Sequence, residues 1–265
     1  MEAIIGKSTT QNQPRYAGKK AVVIGGTHGI GLATVKLLLQ EGADVLLTGR
    51  NPENVNKARA ELSGRAEVSV SDAADVSDIK RLAEQIKKSF GNIDLVFVNA
   101  GIAMLEPFDI VTEQSYDTTF NLNTRGAFFS VQQLAPLVNT GGSFVFTTSI
   151  ANVGGNAGMS VYAATKAALR SFVKGFAAEL LPKNVRVNAV SPGFIHTPSM
   201  GVTGLAKDQL DYFETLGNEV TPMKRHGNAD EVAKAVLFLG FEATFTTGEE
   251  LKVDGGLGQN IKYPQ

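Results

Sequence analysis

The chain has 265 residues, 43% hydrophobic and 19% charged, which is material for a folded core and lies outside the disordered range. Its 25 Lys and Arg against 26 Asp and Glu leave a net charge of -1, so no global positive field exists to hold a polyanion, no local basic patch stands out, and no nucleic-acid partner is expected. Cysteine is absent, which excludes disulfides, thiol nucleophiles and thiolate metal sites; three scattered histidines, His28, His196 and His226, give no metal cluster either.

Residues 1–17 lack the basic start and apolar run of a secretory signal, and no window reaches about 18 apolar residues. They read as an N-terminal extension; no membrane association is expected, and a cytoplasmic location is. Periodic structure follows. KKAVVIGG (Lys19 to Gly26) is a β-rich run stopped by glycines, and ATVKLLLQEG (Ala33 to Gly42) has apolar residues at helical spacing before a glycine stop. The alternation continues with a strand at Ala43 to Gly49, a helix at Pro52 to Leu62, a strand at Ala66 to Val70, a helix at Asp78 to Phe90 and a strand run from Leu95 to Gly101. A long helix is expected at Glu113 to Leu137, interrupted by Asn121, Asn123 and Gly126. Then come a strand at Gly141 to Ser149, a helix at Tyr162 to Leu180, a strand at Val185 to Gly193, a helix at Asp230 to Leu239 and a strand at Glu250 to Gly256.

Several strand runs are apolar without polar alternation, so both sheet faces are buried and the sheet is parallel, with helices on each side. The expected architecture is a single α/β domain over residues 18–260 with a doubly wound, seven-stranded parallel sheet. The long crossover from about 196 to 228, carrying the amphipathic AKDQLDYFETL, reads as a substrate flap.

VVIGGTHGIG places Gly25, Gly29 and Gly31 between the first strand and the first helix, where glycines permit a tight turn and the helix N-terminus faces a pyrophosphate. No Lys-Ser/Thr pair follows, which argues against a nucleoside-triphosphate loop. At the end of the second strand, LLTGRN has Gly49 where a carboxylate would accept from an NAD ribose. Arg50 next to it offers a guanidinium fork suited to a 2'-phosphate, so NADP(H) is the expected cofactor. In VYAATKAAL, Tyr162 and Lys166 lie four residues apart on one helix face, and a nearby ammonium favours the phenolate. Ser149, ending the preceding strand, could hold a substrate oxygen opposite the phenol.

Together VVIGGTHGIG, VNAG (Val98 to Gly101), Asn123 in NLNTRG, Ser149 in FVFTTSI, YAATK (Tyr162 to Lys166), RVNAVSPGFIHTP and VDGG resemble the short-chain dehydrogenase/reductase family, in its classical branch, from about Lys19 to Gly256. The resemblance implies a Rossmann fold and hydride transfer between a nicotinamide and an alcohol/carbonyl pair. It implies that Tyr162 exchanges the proton, Ser149 positions the carbonyl, Lys166 binds the nicotinamide ribose and lowers the tyrosine pKa, and Asn123 supports a water-linked proton path. Cofactor contacts are implied for Gly25, Thr27, His28, Gly29, Ile30 and Gly31. Asp72 and Ala73 would hold the adenine; Asn99, Ala100 and Gly101 would pin the cofactor backbone. Pro192, Gly193, Ile195 and Thr197 would lie by the carboxamide and phosphate. His28, where phosphate-preferring relatives often carry a basic side chain, would assist Arg50. Two positions depart from the family pattern: Ile24 replaces a threonine and Val98 an asparagine.

The resulting expectation is an NADP(H)-dependent oxidoreductase of the carbonyl reductase/alcohol dehydrogenase type, acting on a small-molecule ketone or secondary alcohol, and a homotetramer. Substrate selection falls to Ile150 to Met159, Ala103, Met104, Met200, Leu205, Leu210 and Phe213. The alternatives are a 3-oxoacyl-carrier-protein reductase, disfavoured by the acidic LEPFDIVTEQ after Asn99, and a non-catalytic cofactor-binding regulatory protein, disfavoured by the presence together of Asn123, Ser149, Tyr162 and Lys166.

Overall fold

The computed structural model describes residues 14–198, 201–202, 207–259 and 261. Strands β1 (Lys20–Ile24), β2 (Asp44–Gly49), β3 (Glu67–Val70), β4 (Ile93–Val98), β5 (Val138–Thr147), β6 (Arg186–Pro192) and β9 (Glu250–Val253) form one sheet in the order β3-β2-β1-β4-β5-β6-β9. Every pairing is parallel. The strands meet helices on both faces because alternate apolar residues point opposite ways. Val22, Ile24, Val96, Val98, Phe144 and Phe146 pack with α3 (Val76–Gln85), α5 (Ala127–Leu134) and α6 (Ser160–Leu180). Val23, Leu47, Phe97 and Val145 pack with α1 (Gly29–Gln40), α2 (Pro52–Leu62) and α8 (Ala229–Leu237). The doubly wound, seven-stranded Rossmann sheet is therefore as the sequence pattern implied.

Helix boundaries differ where local chemistry overrides periodicity. Helix α1 starts at Gly29, so two of the loop glycines belong to its first turn. The expected helix at Glu113 to Leu137 is broken into α4 (Glu113–Phe120), a π-helical stretch at Asn121–Gly126, α5 and a 3₁₀ turn at Ala135–Leu137. The interruption falls on the residues expected to cause it. Cβ of a non-glycine residue at 126 would lie 2.0 Å from the Ala73 carbonyl oxygen, so the chain passes this point only as glycine.

The proposed extension also needs a revised boundary. Tyr16 is buried, stacks on Phe241 with ring centroids 4.4 Å apart and donates its hydroxyl to Glu242 at 2.6 Å. Arg15 pairs with Glu41 and Glu242. The folded unit thus includes Pro14 to Ala17, because an aromatic side chain inside residues 1–17 completes the outer layer.

In the flap, β7 (Ile195–His196) and β8 (Gly227–Asn228) pair in parallel and close the base of the excursion, which carries α7 (Lys207–Val220). An isolated bridge joins Val202 to Ala103, fastening the flap to the segment after β4.

Candidate active site

The chain runs outward to β2 and β3 on one side of β1 and to β4 on the other. The carboxyl ends of β1 and β4 therefore border the crevice where such sheets take ligands. A cavity of about 590 Å³ occupies it, reaching from Arg50 past the glycine loop to Ser149, Tyr162 and Lys166.

Its floor is built for close backbone approach. Gly25 has φ +82°, and a Cβ there would fall 2.8 Å from Ala100 Cα; at Gly31 a Cβ would fall 2.0 Å from the Gly25 carbonyl oxygen. Helices α2, α3, α4 and α8 are each capped by a side chain, from Asn51, Asp75, Thr112 and Asn228. Helix α1 is not: His28 makes no cap bond and no acidic residue lies in the first turn. Its first N–H groups and its dipole are left for an anion in the crevice. This cradle fits the pyrophosphate of a dinucleotide.

Around the cradle runs a chain of hydrogen bonds. Asn99 Nδ2 donates to the Gly25 carbonyl at 2.8 Å, the Thr147 hydroxyl donates to Asn99 Oδ1 at 2.9 Å, and Lys166 Nζ donates to the Thr147 carbonyl at 2.8 Å. Asp72 Oδ1 accepts from Ala74 N, while its own N–H donates to Asp78, so the Asp72 turn is fixed at the cavity edge.

Lys166 is buried, and burial pushes its ammonium down to about 8. Tyr162 moves the other way: burial raises the phenol above its ordinary value, and hydrogen bonding to Ser149 opposes part of that rise. The ammonium bonds to the Thr147 carbonyl and stands 5.7 Å from the centre of the phenol ring, and desolvation dominates.

Gly25, Thr27, His28, Gly29, Ile30, Arg50, Asp72, Ala73, Asn99, Ala100, Gly101, Ser149, Tyr162, Lys166, Pro192, Gly193, Ile195 and Thr197 all line the cavity. Two sequence candidates sit behind it. Gly31 packs under the loop, and Asn123 is fully buried with its amide engaged: Oδ1 accepts from Ile102 N at 2.9 Å, and Nδ2 donates to Ile102 O and Thr165 Oγ1. Through these bonds the Asn123 side chain brackets the strand-end loop to α6.

Thr48, Asn51, Asn54, Ser71, Ile102, Leu122, Thr147, Thr148, Gly201 and Val202 also line the cavity and were not anticipated. Asn51 had a readable signal, since an asparagine before Pro52 is a helix cap, and that places it at the crevice rim. Val202 had none, because its place depends on the bridge to Ala103. Among the expected substrate selectors, Ala103 is buried in that bridge and Phe213 packs on Phe194 at 5.7 Å as core of the flap. Met200 and Leu205 lie outside the described residues.

The family described as enoyl-(acyl carrier protein) reductase matches the chain over residues 24–258. An oxidoreductase of Sarocladium schorii is 34% identical over 92% of this chain and 98% of its own length. A 3-oxoacyl-[acyl-carrier-protein] reductase of Thermotoga maritima is 35% identical over 92% of this chain and 99% of its own. Among solved structures, a short-chain dehydrogenase of Burkholderia cenocepacia in complex with NADP superimposes with TM-score 0.82 at 34% identity, covering 92% of this chain and 99% of that one. From the sheet order, the crevice and these likenesses, the chain belongs to the short-chain dehydrogenase/reductase family of oxidoreductases.

Proposed function

We propose that the protein is an NADP(H)-dependent oxidoreductase that interconverts a ketone and a secondary alcohol. The observation that carries this reading is continuity: one cavity joins Arg50 at the adenosine end to Ser149 and Tyr162 at the other, so a dinucleotide lying across the uncapped α1 terminus reaches the proton-transfer groups. The dinucleotide, when bound, supplies or accepts the hydride.

Every other part of the reaction falls to the chain. Ser149 and Tyr162 hold the carbonyl oxygen between two hydroxyls, and both bonds strengthen as that oxygen gains negative charge, which stabilises the transition state more than the ground state. Tyr162 delivers the proton from its phenol. Its raised pKa suits reduction, because the phenol stays protonated at neutral pH. Lys166, anchored on the Thr147 carbonyl, presents its ammonium beside the phenol ring and toward the ribose. Asn123 is a positioning residue that fixes Gly101, Ile102 and α6 relative to one another. Ile102, Leu122 and Val202 are apolar residues of the cavity lining.

The test is a panel of ketones and secondary alcohols, each run with NADPH and NADH and followed by cofactor absorbance. Turnover of a ketone with NADPH supports the reading; no turnover of any carbonyl or alcohol with either cofactor overturns it. A second reading, reduction of a 3-oxoacyl group on a carrier protein, is favoured by the Thermotoga maritima relative. Against it, exposed Asp109 and Glu113 lie in a segment held to the loop after Ser149 by Glu106 N donating to Gly158 O, and an acidic carrier would be repelled there. Comparing a carrier-bound with a free 3-oxoacyl thioester separates the two.

A further inference from the structure

Gly49 ends β2 in ordinary strand geometry, outside the positive-φ glycines, and pairs with Val70. Its backbone would accept a side chain. The neighbour would not: a Cβ at 49 would lie 2.6 Å from Thr27 Cγ2, 2.9 Å from Thr27 Oγ1 and 3.3 Å from Thr27 Cβ.

Rotation does not relieve this. A staggered threonine fills two of its three γ positions, and here the two filled positions are the ones that face residue 49. Any other rotamer empties one of them and fills the other, so a γ atom stays within about 2.9 Å. Thr27 is also held in place, being 7% exposed with its hydroxyl 3.2 Å from His28 Nδ1.

We propose that Thr27 is a cofactor-selecting residue that acts through position 49: its branched side chain keeps that position glycine and so keeps a ribose-accepting carboxylate out of the crevice. The inference rests on the NADP(H) reading above. It makes Thr27, as well as Gly49 and Arg50, part of the apparatus that disfavours NADH. Thr27→Ser would relieve most of the block, because a serine has one γ atom and can place it in the position turned away from residue 49, leaving only the 3.3 Å approach to Cβ.

The experiment uses wild type, Gly49→Asp, Thr27→Ser and the double variant, with dissociation constants for NADH and NADPH measured by calorimetry. Gly49→Asp alone is expected to weaken both cofactors. Adding Thr27→Ser should then tighten NADH by about tenfold while NADPH stays weak, since the carboxylate now reaches the ribose and repels the phosphate. If Gly49→Asp alone binds NADH as tightly as the double variant, the proposal is overturned.

Thermal melting without cofactor supplies the independent readout. Gly49→Ala should lower Tm by roughly 3 to 10 °C in the wild-type background and by less than half as much in the Thr27→Ser background. Equal losses in both backgrounds would overturn the steric coupling. Equal wild-type affinity for NADH and NADPH would instead overturn the cofactor reading, which the melting cycle leaves untouched.

Discussion

Asn99 and Thr147 stand at the ends of neighbouring strands and bond side chain to side chain, the threonine hydroxyl donating to the asparagine carbonyl oxygen at 2.9 Å. Through them the glycine loop, held at Gly25, and the lysine of the reacting end, held at the Thr147 carbonyl, share one frame. Both ends of the crevice are thus set by a single linkage across β4 and β5.

Asn99→Leu should disturb both ends at once. It strips the part-buried Gly25 carbonyl and Thr147 hydroxyl of their partners, and each polar group left so costs up to about 1 kcal/mol where cavity water can reach it. The expected result is cofactor affinity lowered by about tenfold or more together with a drop in kcat, measured by titration and steady-state kinetics. A variant that loses only one of the two would show that the ends are set separately.

Tyr162→Phe keeps the ring and removes the proton. Turnover should fall by roughly 100-fold or more, the scale of positioned proton transfer, with cofactor binding nearly unchanged. A variant that keeps more than half of wild-type turnover would exclude Tyr162 as the acid.

Because burial raises the Tyr162 phenol, the protonated form needed for reduction persists through neutral pH and is lost only as pH climbs into the alkaline range. Oxidation needs the deprotonated form and should rise with pH. Profiles of kcat/KM in both directions test this, and a reduction rate already falling below neutral pH would place the proton donor elsewhere.

Lys166 makes a separate claim on stability. Its pKa is about 8 in the fold against 10.5 for the ordinary side chain, so between those values the unfolded chain binds more protons. Its contribution to stability therefore rises with pH from about 8 to 10.5 and is least favourable below 8. The shift corresponds to an order of 3 kcal/mol at neutral pH, partly offset by the bond to the Thr147 carbonyl. Lys166→Met should abolish turnover, raise Tm at neutral pH and flatten the dependence of Tm on pH in that window. An unchanged alkaline rise in Tm would assign it to another group.

Light scattering at micromolar concentration should give the mass of a homotetramer. Exposed apolar residues on the outer helices, such as Tyr116, 44% exposed and stacked on Phe120, are consistent with subunit contacts there. A monomer mass would rule the assembly out.

The strands were legible because apolar runs and glycine stops are local, and the crevice was legible because its glycines, Tyr162, Lys166 and Ser149 sit at recognisable spacings. What stayed hidden depends on contacts across the sheet. The two departures from the family pattern looked like separate losses of polar groups, yet Ile24 and Val98 are register partners in β1 and β4 and both are buried in the same core cluster. The two apolar residues therefore share one place in the core. The backbone makes the tie instead, with the N–H groups of Asn99 and Ala100 both donating to the Ile24 carbonyl. Likewise Gly49 was read as a missing carboxylate, and only the folded chain brings Thr27 over it.

The parallel pairing of β7 with β8 brings the two ends of the excursion together at Ile195 and Gly227, while Val202 on Ala103 and Met223 N donating to the Gly255 carbonyl tie its body back to the sheet. The two ends of a stretch of about 30 residues are thus held side by side, and the scaffold meets its closure entropy. The bonds of the Asn99–Thr147 frame all run outside this stretch, so a change in its length leaves that frame in place.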